Sequence, residues 1–174
     1  NVAPAVKPVL QVDYPFPTAD KPQSKSWFSH GRWWAILPRL AGPSLWERTP
    51  AGWTEHPEVC AALAGLPARA DVWWDGECAT AVSAADRIIR VFRLRPTSSS
   101  AVTWRAEVLA VLPSPADDAI ETVTLARDAQ RTWWIATAVQ EKIHVWGSSD
   151  AVTWSPPFVI GRGVDADDIC AVVP

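Results

Sequence analysis

From residue 23 onward, short apolar runs alternate with turn residues at intervals of roughly 8 to 12 residues, the spacing typical of an all-β domain. Helical periodicity is close to absent, and the single candidate helix covers residues 57–66, where Ala and Leu allow one or two turns. Residues 1–22 differ because they carry five prolines, which block helix and central strand. That segment is predicted to be an extended linker or wrapping arm.

The apolar runs form units that repeat, and each fourth strand is predicted to start at a closing Trp, at 53, 104 and 154. In the third unit this start covers residues 152–154. Each unit holds four short strands joined by tight turns, over about residues 23–60, 68–113 and 118–162, and residues 166–174 resemble the first strand of a further unit. A period of roughly 40 to 50 residues is typical of propeller blades. The sequence therefore predicts an all-β β-propeller of four-stranded antiparallel blades, with about three blades plus one strand in this chain.

Ring closure needs more blades than these units supply, because propellers close with about four to eight. The remaining blades would come either from a longer chain or from self-association of two copies. Twice three blades gives a six-bladed ring.

Composition narrows the classes of partner. The net charge is −3 and no run of Lys or Arg occurs, so neither nucleic acid nor an anionic membrane surface is expected as a partner. No stretch approaches about 18 apolar residues, so membrane insertion is not expected. The content of 12 Trp and 16 Pro with only 20% charged residues suits a sheet protein rich in turns.

Metal and cofactor sites are not predicted. Cys60, Cys78 and Cys170 are odd in number and lack C-x-x-C spacing. They are interpreted as small buried apolar side chains, with a Cys60–Cys78 bridge left open. The three His residues form no ligand pair with metal-binding spacing.

One segment carries a family resemblance. Residues 148–154 read Ser-Ser-Asp-Ala-Val-Thr-Trp, which resembles the Asp-box of sialidase-like (BNR repeat) propellers, Ser-x-Asp-x-Gly-x-Thr-Trp. Residues 99–104 repeat the frame without the Asp, and residues 50–54 keep only its end. The resemblance implies that Ser148, Asp150, Thr153 and Trp154 form a structural hairpin turn, away from any catalytic centre.

The resemblance does not extend to catalysis. Sialidases use an Arg cluster, a Tyr nucleophile assisted by Glu, and an Asp acid/base, whereas the only Tyr here is Tyr14, in the proline-rich arm. No catalytic residue is therefore assigned. The sequence favours a non-catalytic binding or assembly module, secreted or at the cell surface. The alternatives are part of a sialidase-like glycoside hydrolase with its catalytic residues on other blades, and a structural subunit of a larger particle.

Tryptophan suggests the class of ligand, because its flat ring stacks on the faces of sugars. Trp33, Trp34, Trp133 and Trp134, like the three closing Trp residues, are assigned to the core between blades. Trp27, Trp46, Trp73 and Trp146 lie near loops and are the candidates for a stacking surface, with Arg32, Arg48 and Arg131 nearby in sequence. Carbohydrate is accordingly the expected ligand class.

Overall fold

The computed structural model describes residues 10–15, 23–97 and 102–165. These residues form three four-stranded antiparallel sheets, each with its strands in chain order from one edge to the other. The first sheet contains β1 (Ser26–Ser29), β2 (Arg32–Arg39), β3 (Gly42–Thr49) and β4 (Gly52–Glu55). Helix α1 (Pro57–Ala62) follows it, within the predicted helical segment.

The middle sheet contains β5 (Ala70–Trp74), β6 (Ala79–Ala85), β7 (Ile88–Pro96) and β8 (Trp104–Pro113). The third sheet contains β9 (Thr124–Arg127), β10 (Trp133–Val139), β11 (Lys142–Ser148) and β12 (Phe158–Arg162). The prediction of three units of four antiparallel strands is confirmed. The described residues close no ring, so the propeller itself stays a prediction, and the proposed extra strand at 166–174 lies outside them.

Two-residue turns set the register inside the sheets. His30 and Gly31 connect β1 to β2 with φ angles of 53° and 74°, and Gln140 and Glu141 connect β10 to β11 with 50° and 58°. Two successive positive φ angles give the turn whose twist matches that of paired strands. Each short loop therefore brings a strand directly back beside its predecessor.

One predicted strand is misplaced. The fourth strand of the third unit was expected to start at residues 152–154, by analogy with Trp53 and Trp104, but it begins at Phe158. Residues 149–153 instead form a bend, because Ala151 has a φ of 65° and the polar side chains around it bond the local backbone. The positions of the closing Trp residues are thus not equivalent: Trp53 and Trp104 lie in strands and Trp154 in a loop.

Two hydrophobic clusters join the three sheets. In the first, Trp34 and Ile36 of the first sheet and Val59 and Leu63 of the α1 region pack with Phe92 of the middle sheet. In the second, the opposite face of the middle sheet packs on the third sheet. Adjacent strand residues face opposite sides. The consecutive residues 79–83 of β6 are all buried, because both faces of the middle sheet are covered.

The first cluster is dominated by indole rings. The ring of Trp104 meets those of Trp27, Trp34 and Trp74 edge-on, with centroids 5.6, 5.0 and 6.0 Å away. Edge-to-face pairs of this kind add about 0.5–1.5 kcal/mol each beyond the area that they bury. These aromatic contacts fix the first sheet on the middle one.

The two cysteines within the described residues, Cys60 and Cys78, are both free thiols. Burial raises the pKa of the Cys60 thiol to about 11, so it stays protonated at neutral pH. Cys170 lies outside the described residues.

Gly42 is expected to tolerate no side chain. Its φ is 138°, and a Cβ there would lie 2.6 Å from the carbonyl oxygen of Leu63, just after α1. Backbone strain at a positive φ costs about 1–3 kcal/mol. We expect Gly42→Ala to lower the free energy of unfolding by more than this, because its Cβ would also clash with the Leu63 carbonyl oxygen. Gly52→Ala is the matched control, because Gly52 has a φ of 137° and open space around it. Urea denaturation of both variants measures the difference, and equal losses would contradict the close approach.

Candidate functional site

The loop at residues 148–154 is held by its own polar side chains. The Ser148 hydroxyl donates to the carbonyl oxygen of Thr153 at 2.6 Å and accepts from the Ala151 N–H at 2.9 Å. The Asp150 carboxylate accepts from the N–H groups of Val152 and Thr153 at 2.8 and 2.7 Å. These last two bonds hold the pKa of Asp150 below its usual value.

Trp154 closes the same loop. Its indole N–H donates to the carbonyl oxygen of Ala151 at 3.1 Å, and its half-buried ring packs against the second hydrophobic cluster. The side chains of Ser148, Asp150 and Trp154 are therefore engaged with the loop backbone and the core. This geometry leaves them little capacity to contact a ligand.

Three of the four tryptophans expected to form a stacking surface are buried. Trp27, Trp46 and Trp146 are 5%, 8% and 2% exposed, and Trp73 is partly buried against the second cluster. The Trp46 indole N–H also donates to the Ser44 hydroxyl at 2.7 Å. With their faces covered, the rings of Trp27, Trp46 and Trp146 offer no stacking surface for a sugar.

A different set of aromatic side chains lies on the outer face of the first sheet, the face turned away from the middle sheet. Phe28 pairs with Trp33 across β1 and β2, and their ring centroids are 5.5 Å apart. Arg48 pairs with Trp53 across β3 and β4. The Trp34–Glu47 pair fixes the register of β2 and β3, which brings Trp33 beside Arg48. We call Phe28, Trp33, Arg48 and Trp53 the outer-face row.

The outer-face row borders an open groove of about 450 Å³. Trp33 is 52% exposed and Trp53 is half-buried. The groove is also lined by Lys25 and Leu10, and the apolar side chains of Ala35 and Leu37 belong to the same lining. The sequence had assigned both tryptophans to the core. The missed signal is the Trp33-Trp34 doublet: one ring must face outward, and the first sheet has no other described sheet on that side.

The three sheets meet at a single buried carboxylate, that of Asp71 in β5. One oxygen accepts from the Ser24 N–H, just before β1, at 2.6 Å, and the other accepts from the Leu125 N–H in β9 at 2.7 Å. Burial, only partly offset by these bonds, raises the pKa of Asp71 to about 6. We call the contacts of Ser24, Asp71 and Leu125 the three-sheet junction.

Neighbouring side chains reinforce the junction. The Gln23 amide donates to the carbonyl oxygen of Val123 at 2.9 Å, and the Lys25 ammonium donates to the carbonyl oxygen of Ala70 at 3.1 Å. Burial lowers the pKa of Lys25 to about 8, although the nearby charge of Asp71 acts in the opposite direction. Residues 23–25 thus tie the start of the first sheet to both other sheets.

Comparison of the chain with family models, curated proteins and solved structures returned no match. Within residues 10–15, 23–97 and 102–165, no three His, Cys, Asp or Glu side chains are grouped so as to hold a metal ion. No helix in the described part of the chain has the length and apolar character needed to cross a membrane.

The stability of the protein should depend on the charge of Asp71. The pKa of Asp71 is about 6 in the folded protein and 3.8 in the unfolded chain, so the protonated carboxyl stabilises the fold fully below pH 3.8, and this stabilisation is lost as the pH rises through about 6. Over this pH range, we expect ionisation of Asp71 to lower the free energy of unfolding by about 2–3 kcal/mol. In Asp71→Asn this slope should disappear, whereas the exposed Asp118→Asn control should keep it. Lys25 adds no slope there, because it is charged in both states. Urea denaturation between pH 4 and 7 tests the expectation, which fails if both variants show the wild-type slope.

The Ser148 hydroxyl should be essential to its loop. We expect Ser148→Ala to lower the free energy of unfolding by about 1–3 kcal/mol, because the N–H of the fully buried Ala151 loses its acceptor. Ser149→Ala is the control, since Ser149 is the exposed neighbour in the same loop. Thermal denaturation of both variants is the measurement, and an unchanged melting temperature for Ser148→Ala would refute this role.

Proposed function

We propose that this protein is a non-catalytic binding module whose ligands are carbohydrates, bound along the outer-face row. The observation that carries the proposal is the exposed Trp33 ring, aligned with Arg48 and Trp53 across three strands beside an open groove. A large exposed aromatic surface is unfavourable in water unless a ligand or partner covers it. The Trp33 ring lies exposed on the face of a sheet, where a sugar ring can stack on it.

The groove has the chemistry that a sugar ring requires. Indole faces cover the C–H face of a pyranose by apolar contact, and the Arg48 guanidinium supplies several hydrogen-bond donors for hydroxyl oxygens. A volume of about 450 Å³ falls in the range of about 300–1,000 Å³ for small-molecule sites.

We further propose that the three sheets are blades of a sialidase-like propeller. Their four-stranded meander order, their face-to-face packing and the hydrogen-bonded loop at residues 148–154 support this proposal. The three-sheet junction supports the proposal too, because it joins residues at or just before the first strand of each sheet. In a propeller, the first strands of the blades lie side by side around the central channel. The loop at 148–154 then has a structural role.

Self-association is the second candidate function, with another copy of the chain as the partner. Strand β12 at the edge of the third sheet exposes Phe158, Val159 and Ile160. An edge strand with free backbone groups and apolar side chains favours pairing with another chain. In a head-to-tail ring of two copies, the third sheet of one copy would also pack on the outer face of the first sheet of the other. The outer-face row would then be covered by protein, so the two functions compete for one surface.

The binding proposal is tested by a glycan array followed by calorimetry on the best-bound glycan. We expect Trp33→Ala and Trp53→Ala each to weaken binding about tenfold, which corresponds to about 1.4 kcal/mol. The matched control is Ile88→Ala, an exposed apolar position in the middle sheet, which should bind as the wild type does. Equal weakening in all three variants, or none in the Trp variants, would rule out the outer-face row.

Two further measurements separate the alternatives. Release of fluorophore from fluorogenic glycosides by the purified chain would favour the hydrolase over the binding module.

Light scattering reports self-association: a dimer that Trp33→Glu converts to monomer, without any glycan binding, would favour assembly through the outer-face row. A monomer that binds glycan supports the first proposal.

A further inference from the structure

A segment before the first sheet contributes to the groove beside the outer-face row. In residues 10–15, Leu10, Val12 and Tyr14 are half-buried, whereas the residues between them are exposed. This alternation is typical of an extended segment with one side against the protein. Leu10 is part of the groove lining. We call residues 10–15 the N-terminal strap.

One guanidinium fastens the N-terminal strap to the outer face of the first sheet. Arg39 lies on this face, because it is six residues from Trp33 in the same strand, β2. Its Nε and Nη2 donate to the two carboxylate oxygens of Asp13, at 2.8 and 3.2 Å. Its Nη1 donates to both oxygens of Glu55, at the end of β4, at 2.6 and 2.7 Å. The N-terminal strap, β2 and β4 are therefore joined at Arg39.

This network has the features that make a surface ion pair effective. An isolated exposed pair contributes little, whereas bidentate geometry and a network of charges strengthen it. Arg39 meets Asp13 through two hydrogen bonds and contacts Glu55 as well. The bonds from Arg39 hold the pKa of Asp13 below its usual value, so the pair is charged at neutral pH. The Arg69 guanidinium lies over the Tyr14 ring, 5.7 Å from its centroid, and adds a second attachment.

The groove depends on the N-terminal strap for one of its sides. A sheet face alone is a shallow surface, and among the described residues that line the groove, Leu10 alone comes from outside residues 25–53. Trp33 is still 52% exposed with Leu10 in place. The N-terminal strap thus borders the exposed ring without covering it, as a wall of the groove does.

We propose that the N-terminal strap is the second wall of the ligand site and that Asp13, through Arg39, is a positioning residue for that site. The inference rests on the proposed binding of a sugar at the outer-face row, and it extends the site to a separate part of the chain. A site that is complete in only a fraction of the molecules has an apparent affinity reduced by that fraction. Weakening the Asp13–Arg39 pair should therefore weaken binding, although Asp13 itself touches no ligand.

The first measurement tests the wall without a ligand. We expect Asp13→Lys to release the N-terminal strap, because it places a second positive charge beside Arg39. A soluble nitroxide should then broaden the methyl NMR signals of Leu10 as strongly as those of Leu40, which is 76% exposed. In the wild type, half-buried Leu10 should be broadened less. Asp118→Lys is the matched control, since it makes the same change of charge at an exposed residue outside the strap, and it should leave Leu10 shielded.

The second measurement is an NMR titration with methyl β-D-glucopyranoside, a neutral sugar with C–H groups on both faces of its ring. We expect Asp13→Lys to weaken its binding about fivefold or more, as the loss of an effective ion pair would. Asp13→Glu keeps the carboxylate and should bind within about twofold of the wild type. Asp118→Lys should bind as the wild type does.

Two results would overturn the inference. One is equal shielding of Leu10 in Asp13→Lys and the wild type, because the N-terminal strap would then not depend on Arg39. The other is a released strap with unchanged sugar binding. A wild type that binds neither this sugar nor any glycan of an array would count against the proposed function alone, since the Leu10 signals still show whether the ion pair holds the wall.

Discussion

The arrangement of the three sheets depends on the buried carboxylate of Asp71. Two backbone N–H groups from separate parts of the chain, those of Ser24 and Leu125, donate hydrogen bonds to its two oxygens. Asn, the amide of the same size, has only one oxygen and cannot accept two such bonds on separate oxygens. The carboxylate therefore fixes where the first and third sheets begin relative to β5. Its raised pKa is the cost of placing a charge where water is excluded.

Around this polar junction, apolar packing holds the sheets face to face. The middle sheet is covered on both sides, by the indole cluster around Trp104 on one face and by the cluster around Trp133 on the other. The first sheet differs, because its outer face has no other described sheet against it. Stability and ligand binding thus use the same residue type: Trp34 is buried in the core, and Trp33, its neighbour on the strand, is available to a ligand.

The proposed site on the outer-face row follows from the same architecture. The row lies on a sheet face against which no other described sheet packs, where flat side chains can stack. Cross-strand pairing holds these side chains in place before a ligand binds. Preorganisation of this kind reduces the entropy lost on binding.

The sequence by itself determined the strands, the tight turns and the grouping into three sheets, because alternation, turn residues and repeat spacing are local properties of the chain. It also indicated the polar loop around Ser148 and Asp150. Only the tertiary structure decided which tryptophans are buried: Trp27 and Trp34 proved to be covered, and Trp33 exposed. The reason is physical. Alternation places neighbouring side chains on opposite faces of a strand, but which face is covered depends on how separate sheets pack, and that depends on contacts between residues far apart in the chain.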